Sequence, residues 1–358
     1  MPLSMNATEP ATGTRKVGLP LLSNSSLTTF RRCPREYQFS YVLRRRPRRK
    51  TEALRFGTFF HIGLNAWWAC GGAVYPDRRL ATALAAVGSA SAETVDGGLD
   101  VFSMVKAEAL LAGYTARWGG EGYETIAVET QFKIPLLTRD QDRFGEVWNM
   151  KHTCDLGGAI DAIASRNGST HLVEHKTSSQ DISPGSDYWR HVATLDTQVS
   201  TYLDAAKTIG HNPRDVLYDV IRKPEMQPLK ATPEESRKYT KPTRPDPIPR
   251  LYANMRERDE DPAQYSERLI TDIAGRPNWY FQRMTVVRLD RDNEAHAKDT
   301  ADTARMILDC DDRDAWPRSP SSCLRFNRLC EYHDVCSGIA SIDDDSRFET
   351  NQRKEISK

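Results

Sequence analysis

The chain has 358 residues, 39% of them hydrophobic, and a formal net charge of +1, enough sequence for one large domain or two smaller ones. No apolar run is long enough to span a membrane and the first twenty residues are mostly polar, so neither a membrane protein nor a secreted one is expected, and the location implied is intracellular and cytoplasmic. Near-neutrality excludes a polycation that coats nucleic acid everywhere, and an odd count of seven cysteines favours thiols or metal ligands over a disulfide framework.

In chain order, Ser25 and Ser26 are placed to cap a short helix carrying Leu27 and Phe30, and Cys33-Pro34 restarts it, because proline suits the first helical position. Tyr37 and Tyr41 then share a face. Residues 44–50, RRRPRRK, hold six basic residues in seven, either a local track for phosphates or a solvated charge run or localisation tag. Phe56, Phe60, Leu64 and Trp67 or Trp68 recur at helical spacing, with Gly57 and His61 one turn apart on a neighbouring face. His61 there is either a ligand or an ordinary residue beside an apolar stripe. Helical patterns over about 78–87 and 99–118 carry no evident chemistry. A strand over 125–136 follows, containing Glu129 and Phe132, and a second strand leads into residues 157–176.

That stretch, GGAIDAIASRNGSTHLVEHK, reads as a hairpin, residues 159–165 and 170–176, turning at Asn167-Gly168. With those two as the loop, Arg166 faces Ser169 and Asp161 falls opposite Glu174, with Lys176 two residues on. Opposed carboxylates repel, so a cation is expected between them, and an all-oxygen site suits Mg2+ or Mn2+. Lys176 is then placed to orient a water or offset charge on a phosphate. A surface hairpin with a Glu-Lys pair is the plain alternative; the small apolar set Ile160, Ala162, Ala164 and Val173 argues instead for a buried strand pair with its charges on one side.

Residues 188–209 read as one amphipathic helix with Gln198 and Tyr202 one turn apart at the edge of its stripe, and a strand over 216–221 follows. Residues 223–262 are proline-rich and aperiodic, an insertion or lid. Order is expected to return with a helix over 263–274, a strand over 280–289 and a helix over 293–308. Cys323, Cys330 and Cys336 fall within fourteen residues and need a fourth ligand for a four-thiolate site, for which Cys33 is the candidate. Zinc, with His333 competing, or three buried thiols are the alternatives. Cys70 and Cys154 read as bystanders, and the last fifteen or so residues as a charged, frayed tail.

Gly158-x-x-Asp161 and Glu174-x-Lys176 resemble the PD-(D/E)xK nuclease superfamily. Ser25-x-Leu27, Cys33-Pro34-x-x-Tyr37, Gly57-x-x-x-His61, Thr177-Ser178-Ser179 and Gln198-x-x-x-Tyr202 extend the resemblance to its RecB-like branch, including CRISPR-associated and phage exonucleases. The resemblance implies a restriction-endonuclease-like α/β fold, a central mixed sheet flanked by helices. It also implies Mg2+ or Mn2+ held by Asp161, Glu174 and His61, with Lys176 catalytic and Gln198 and Tyr202 supporting it or contacting DNA. One cysteine near the N-terminus and three near the C-terminus imply a 4Fe-4S cluster on Cys33, Cys323, Cys330 and Cys336, with Cys310 as the alternative to Cys323; such a staple closes a very long loop. The expected organisation is a flexible tail over 1–21, a nuclease domain over 22–340 with 223–262 as its insertion, and a flexible tail over 341–358. The expected activity is deoxyribonuclease, an exonuclease of recombination, repair or end processing on single-stranded DNA or duplex ends, working with recombination or helicase proteins that the sequence does not name. The alternatives are a non-catalytic DNA-binding scaffold stabilised by iron-sulfur or zinc, and a zinc-stapled interaction protein.

Overall fold

The computed structural model describes residues 21–48, 52–71, 76–94, 98–141, 147–242, 244, 248–325 and 327–351. A two-residue strand β1 (Leu21–Leu22) precedes α1 (Asn24–Arg32). The cap of α1 is Ser23, two residues before the expected position: its hydroxyl accepts the Ser26 N–H while the Ser26 hydroxyl accepts its own N–H, a reciprocal capping box. Pro34 opens α2 (Pro34–Tyr37) at its first position, and a π-helical turn over Gln38–Val42 leads to β2 (Arg45–Pro47). Three eighteen-residue helices follow, α3 (Glu52–Ala69), α4 (Pro76–Glu93) and α5 (Val101–Trp118).

Three strands come next, β3 (Glu124–Gln141), β4 (Val147–Arg166) and β5 (Ser169–Ser178). The helix expected over 188–209 is two, α6 (Asp187–Leu195) and α7 (Thr197–Thr208), because Asp196 leaves the helical conformation and caps the Gln198 N–H with its carboxylate at 2.9 Å. Beyond them lie β6 (Pro213–Arg222), α8 (Pro262–Gly275), the short α9 (Pro277–Tyr280), β7 (Phe281–Val286) and α10 (Asp290–Asp312). The chain closes with a hairpin of β8 (Leu324–Arg325) and β9 (Arg328–Leu329), the single turn α11 (His333–Cys336) and β10 (Phe348–Thr350). Between β6 and α8 the described residues hold one 3-10 turn and one isolated bridge, Tyr239 to Leu251, as proline-rich sequence dictates.

The central sheet is mixed and runs β3-β4-β5-β6-β7, with β1 parallel to β4 at Asp155 and Leu156 on the edge that β5 has left. Strands β4 and β5 are antiparallel, β5 and β6 parallel through the α6–α7 crossover, and β6 and β7 antiparallel. Helices cover both faces, so apolar residues line both sides of the sheet, as with Ile160 and Ile163 on one side and Ala162 and Ala164 on the other. Leu27, Phe30, Leu203, Ala301 and Ile307 from α1, α7 and α10 pack one side. Phe60, Leu64, Trp67, Leu111 and Leu269 from α3, α5 and α8 pack the other, against Ala162, Val173 and Ile221.

The expected frayed C-terminal tail is instead ordered through its described part. Strand β10 pairs antiparallel with β2, and Phe348 is 2% exposed, stacked on Tyr332 and packed with Phe39. This pairing also supplies counter-charges to part of the basic run. Arg45 pairs with Asp345 at 2.7 Å and Arg46 with Glu349 at 2.7 Å, so these cations are neutralised within the fold. Residues 49 and 50 of that run, 1–20 of the N-terminal tail and 352–358 of the C-terminal tail lie outside the described residues.

Candidate active site

The hairpin at the centre has the expected register. Arg166 pairs with Ser169, and Asn167 and Gly168 turn the chain with φ of 52° and 76°, the positive values that an Asn-Gly turn provides. Pairing runs back to Ala162 with Val173 and stops one step short of Asp161 and Glu174. There the strands fork. Ile160 packs with Leu156 in one core while Ala162 packs with Val173 in the other, so the alternation of faces breaks at Asp161. On the other edge Glu129, between the pairs Val128–Ala162 and Thr130–Ile160, has φ of 48°, a conformation that side chains other than glycine seldom adopt. The Asn65 amide donates to its carboxylate.

The fork leaves the His175 N–H without a strand partner, and the Asp161 carboxylate accepts it at 2.8 Å. Burial, with the charges of Glu129 and Asp219, pushes Asp161 up to about 6. Glu174 is buried at the fork. Its Oε1 accepts from the Lys176 ammonium and, at 2.7 Å, from the Gln198 amide, whose own Oε1 accepts from Lys176 at 2.8 Å. Its Oε2 is buried with no hydrogen-bond partner among the described residues. Burial first, then the Asp161 and Asp196 charges, push Glu174 up to about 8. Burial would lower Lys176, but the Glu174 carboxylate against it holds the ammonium above its ordinary range.

Gln198 is held by Asp196, which caps its N–H and accepts from the Tyr218 hydroxyl at 2.6 Å. Tyr202, one turn on, stacks edge-on against Phe132, and its hydroxyl is pushed up by burial and by the Glu174 and Asp161 charges. Gly158 makes this approach possible, since a Cβ there would sit 2.9 Å from Phe132 and 3.6 Å from Tyr202. His61 projects from α3 with its ring 6.4 Å from that of His175. Burial first, then the charges of Lys176 and Lys223, drop it to about 3, so the imidazole is neutral. Among the described residues no three His, Cys, Asp or Glu side chains close into a preformed metal centre, so His61 is not gathered with Asp161 and Glu174 as a finished ligand set. The donor set nonetheless fits a divalent cation. A buried carboxylate, Glu174, and a half-buried one, Asp161, share the fork; among the described residues one oxygen has no partner, and a neutral imidazole stands nearby.

Sequence reasoning missed the polar cluster behind β5. His175 Nδ1 meets Asp219 at 3.0 Å; Asp219 also accepts from Tyr114 at 2.6 Å and from Arg283 at 3.0 Å. Burial would raise Asp219, but Arg283 and His175 hold it well below the carboxylate range. These residues come from α5, β5, β6 and β7, and only the pairing of His175 with Asp219 across the parallel strands brings them together. The one advance signal was Asp219, a carboxylate within an apolar strand.

Cys33, Cys323, Cys330 and Cys336 line one pocket with Arg318 and His333, and all four are free thiols. The Cys330 N–H donates to the Cys323 carbonyl at 2.8 Å across the base of the β8–β9 hairpin, which accommodates the wide spacing between them. Burial, Glu36 and the neighbouring sulfurs push Cys330 up to about 11. Cys310 lies elsewhere, in the core with Trp316, as does the buried Cys154.

The fold is an α/β scaffold, a mixed sheet between helices that forks over a carboxylate pair with an adjoining lysine. The chain matches the PD-(D/E)XK nuclease superfamily over residues 21–337 and belongs to it. Among solved structures it is similar to a candidate exonuclease from Eubacterium rectale, with 12% identity, a TM-score of 0.43 and 94% of each chain covered. It is also similar to the protein SSO0001, with 14% identity, a TM-score of 0.23, and 71% of this chain and 75% of that one covered. Neither likeness carries an argument about activity, and no curated protein matches.

Proposed function

We propose that this protein is a Mg2+- or Mn2+-dependent deoxyribonuclease, an exonuclease that hydrolyses DNA ends in recombination, repair or end processing. The observation that carries the reading is the Glu174 Oε2, without a partner among the described residues, at the fork beside Asp161; burial raises both carboxylates, and the Asp161 charge raises Glu174 further. A divalent ion bound there would supply Lewis acidity and a water of lowered pKa. Asp161 and Glu174 would hold it, with His61 as the third ligand once the site closes. Lys176, fixed between Glu174 and Gln198, orients the attacking water or offsets charge on the phosphate. Gln198 and Tyr202 keep that lysine in place and flank the DNA. We assign one nuclease domain running from β1 to β10, residues 21–350, with 223–262 as its insertion; it extends past 340 because β10 pairs with β2.

The four cysteines of the N- and C-terminal parts fit a thiolate-held 4Fe-4S cluster: the thiols are free, share one pocket and have Arg318 beside them to offset the charge of the cluster. The role assigned to it is structural. A brown protein absorbing at about 400 nm supports iron-sulfur, whereas a colourless zinc protein with His333 as a ligand would replace that assignment.

The test is degradation of end-labelled single- and double-stranded DNA with Mn2+ by wild type and Asp161→Ala. Cutting by wild type alone is expected, and the ladder gives polarity. No cutting by folded wild-type protein would make a DNA-binding scaffold the better account.

A further inference from the structure

Beyond Lys176, β5 and β6 run in parallel to Ser178 and Arg222, and the Lys223 N–H extends the pairing by donating to the Ser178 carbonyl at 2.8 Å. In α/β sheets the carboxyl ends of parallel strands open onto ligand crevices. Here they open onto a cavity of about 260 Å3, lined also by Phe56 of α3, by α5 and by the β8–β9 hairpin. Lys106, Lys223 and Arg328 line it against one carboxylate, Glu52, which already accepts from the Ser103 hydroxyl at 3.2 Å. Phe56 forms an aromatic wall, with the Lys223 ammonium 5.9 Å from its ring centre. Three cations against one anion is a local concentration in a chain whose net charge is only +1.

The cavity adjoins the fork. A Cβ on Gly57, next to Phe56, would lie 3.3 Å from the hydroxyl of Thr177, the residue after Lys176. The Lys223 charge reaches His61. The volume is below the roughly 300 Å3 of a small-molecule pocket, room for a phosphate and sugar of one strand. A duplex, whose major groove alone is about 12 Å across, does not enter it.

We propose that this cavity is a subsite for single-stranded DNA, in which Lys106, Lys223 and Arg328 hold the phosphodiester flanking the one at the fork. The proposal rests on the nuclease reading and deepens it. It also gives the cysteine-bearing segment a part in substrate binding, since Arg328 stands on the hairpin between Cys323 and Cys330.

The test uses the full chain with Asp161→Ala and a fluorescein-labelled oligo-dT of about twelve nucleotides. Anisotropy is read in metal-free buffer over a salt series, with and without Lys106→Ala and Arg328→Ala together. Removing two of the three cations on this one phosphate should weaken binding about tenfold and flatten the slope of log K against log salt by up to about 0.7, the value per phosphate on a single strand. Lys106→Arg should restore its share. Lys106→Glu on α5, remote from the cysteine hairpin, should lose more than Lys106→Ala, which keeps the test decisive if the Arg328 variant folds poorly. Unchanged affinity and slope in folded variants would overturn the subsite, as would tighter binding of a closed duplex than of the oligonucleotide. Cleavage of the same strand with Asp161 restored reports the nuclease reading separately. Strand binding that depends on the cavity in a chain that never cuts would support the subsite and sink the nuclease.

Discussion

Raising the pH of the metal-free protein should destabilise it, and a divalent ion should reverse the loss. Asp161 sits at about 6 against an ordinary 3.8, and Glu174 at about 8 against 4.5. The folded state therefore keeps protons that the unfolded chain has already released. That stabilisation is complete below about pH 4 and disappears as the pH climbs through about 6 and then about 8. At about 1.4 kcal/mol per pKa unit, the shifts correspond to about 3 kcal/mol for Asp161 and about 5 for Glu174. The Asp161 charge is part of what raises Glu174, so the two figures are coupled and do not simply add. A bound cation takes over from the protons and removes the penalty. Urea unfolding at pH 5.5 and pH 8, in EDTA and in Mn2+, for wild type and Glu174→Gln, measures this. Wild type should lose several kcal/mol between the two pH values in EDTA and recover it in Mn2+. Glu174→Gln should show a shallower loss and little response to metal. A variant as steep as wild type, or a wild type indifferent to Mn2+ at pH 8, would refute the reasoning.

Lys176→Ala should abolish cleavage while leaving folding and oligonucleotide binding largely intact; equal loss of cleavage and binding would remove Lys176 from the chemistry. Gly158→Ala places a methyl 2.9 Å from the Phe132 ring, in a strand with no slack, and should cost about 1–3 kcal/mol in urea unfolding. Phe348→Ala empties the aromatic stack on Tyr332 and should lower stability by about 3–5 kcal/mol, seen as a lower melting temperature. A tail without structural role would tolerate it.

The hairpin was legible because its information is local. Asn167-Gly168 sets the turn, strands alternate with period two, and the facing of Asp161 and Glu174 follows by counting. The same arithmetic could not show that the ladder ends at Ala162 and Val173, because the edge of β4 beyond the fork pairs instead with β1, at Asp155 and Leu156, from far up the chain. The break at Asp196 was hidden inside an unbroken apolar stripe, and its partner Tyr218 lies on another strand. The counter-charges of Arg45 and Arg46 in the basic run were hidden for a similar reason: Asp345 and Glu349 lie some three hundred residues away. Charge composition shows that a cation exists, whereas topology decides whether a carboxylate reaches it before a phosphate does. His175 and Asp219 share that limit, since parallel pairing through a helical crossover leaves no short-range mark.

The most direct measurement of the central claim is Mn2+ binding followed by electron paramagnetic resonance, on full-length wild type and on Glu174→Gln with uncleavable single-stranded DNA present. Wild type should quench the free-ion signal stoichiometrically at pH 8 and release the metal as the pH falls below about 6, where the carboxylates take their protons back. Glu174→Gln should leave Mn2+ free under the same conditions. If wild type leaves the ion in solution, or if both proteins bind it equally, the fork between Asp161 and Glu174 is not a metal site.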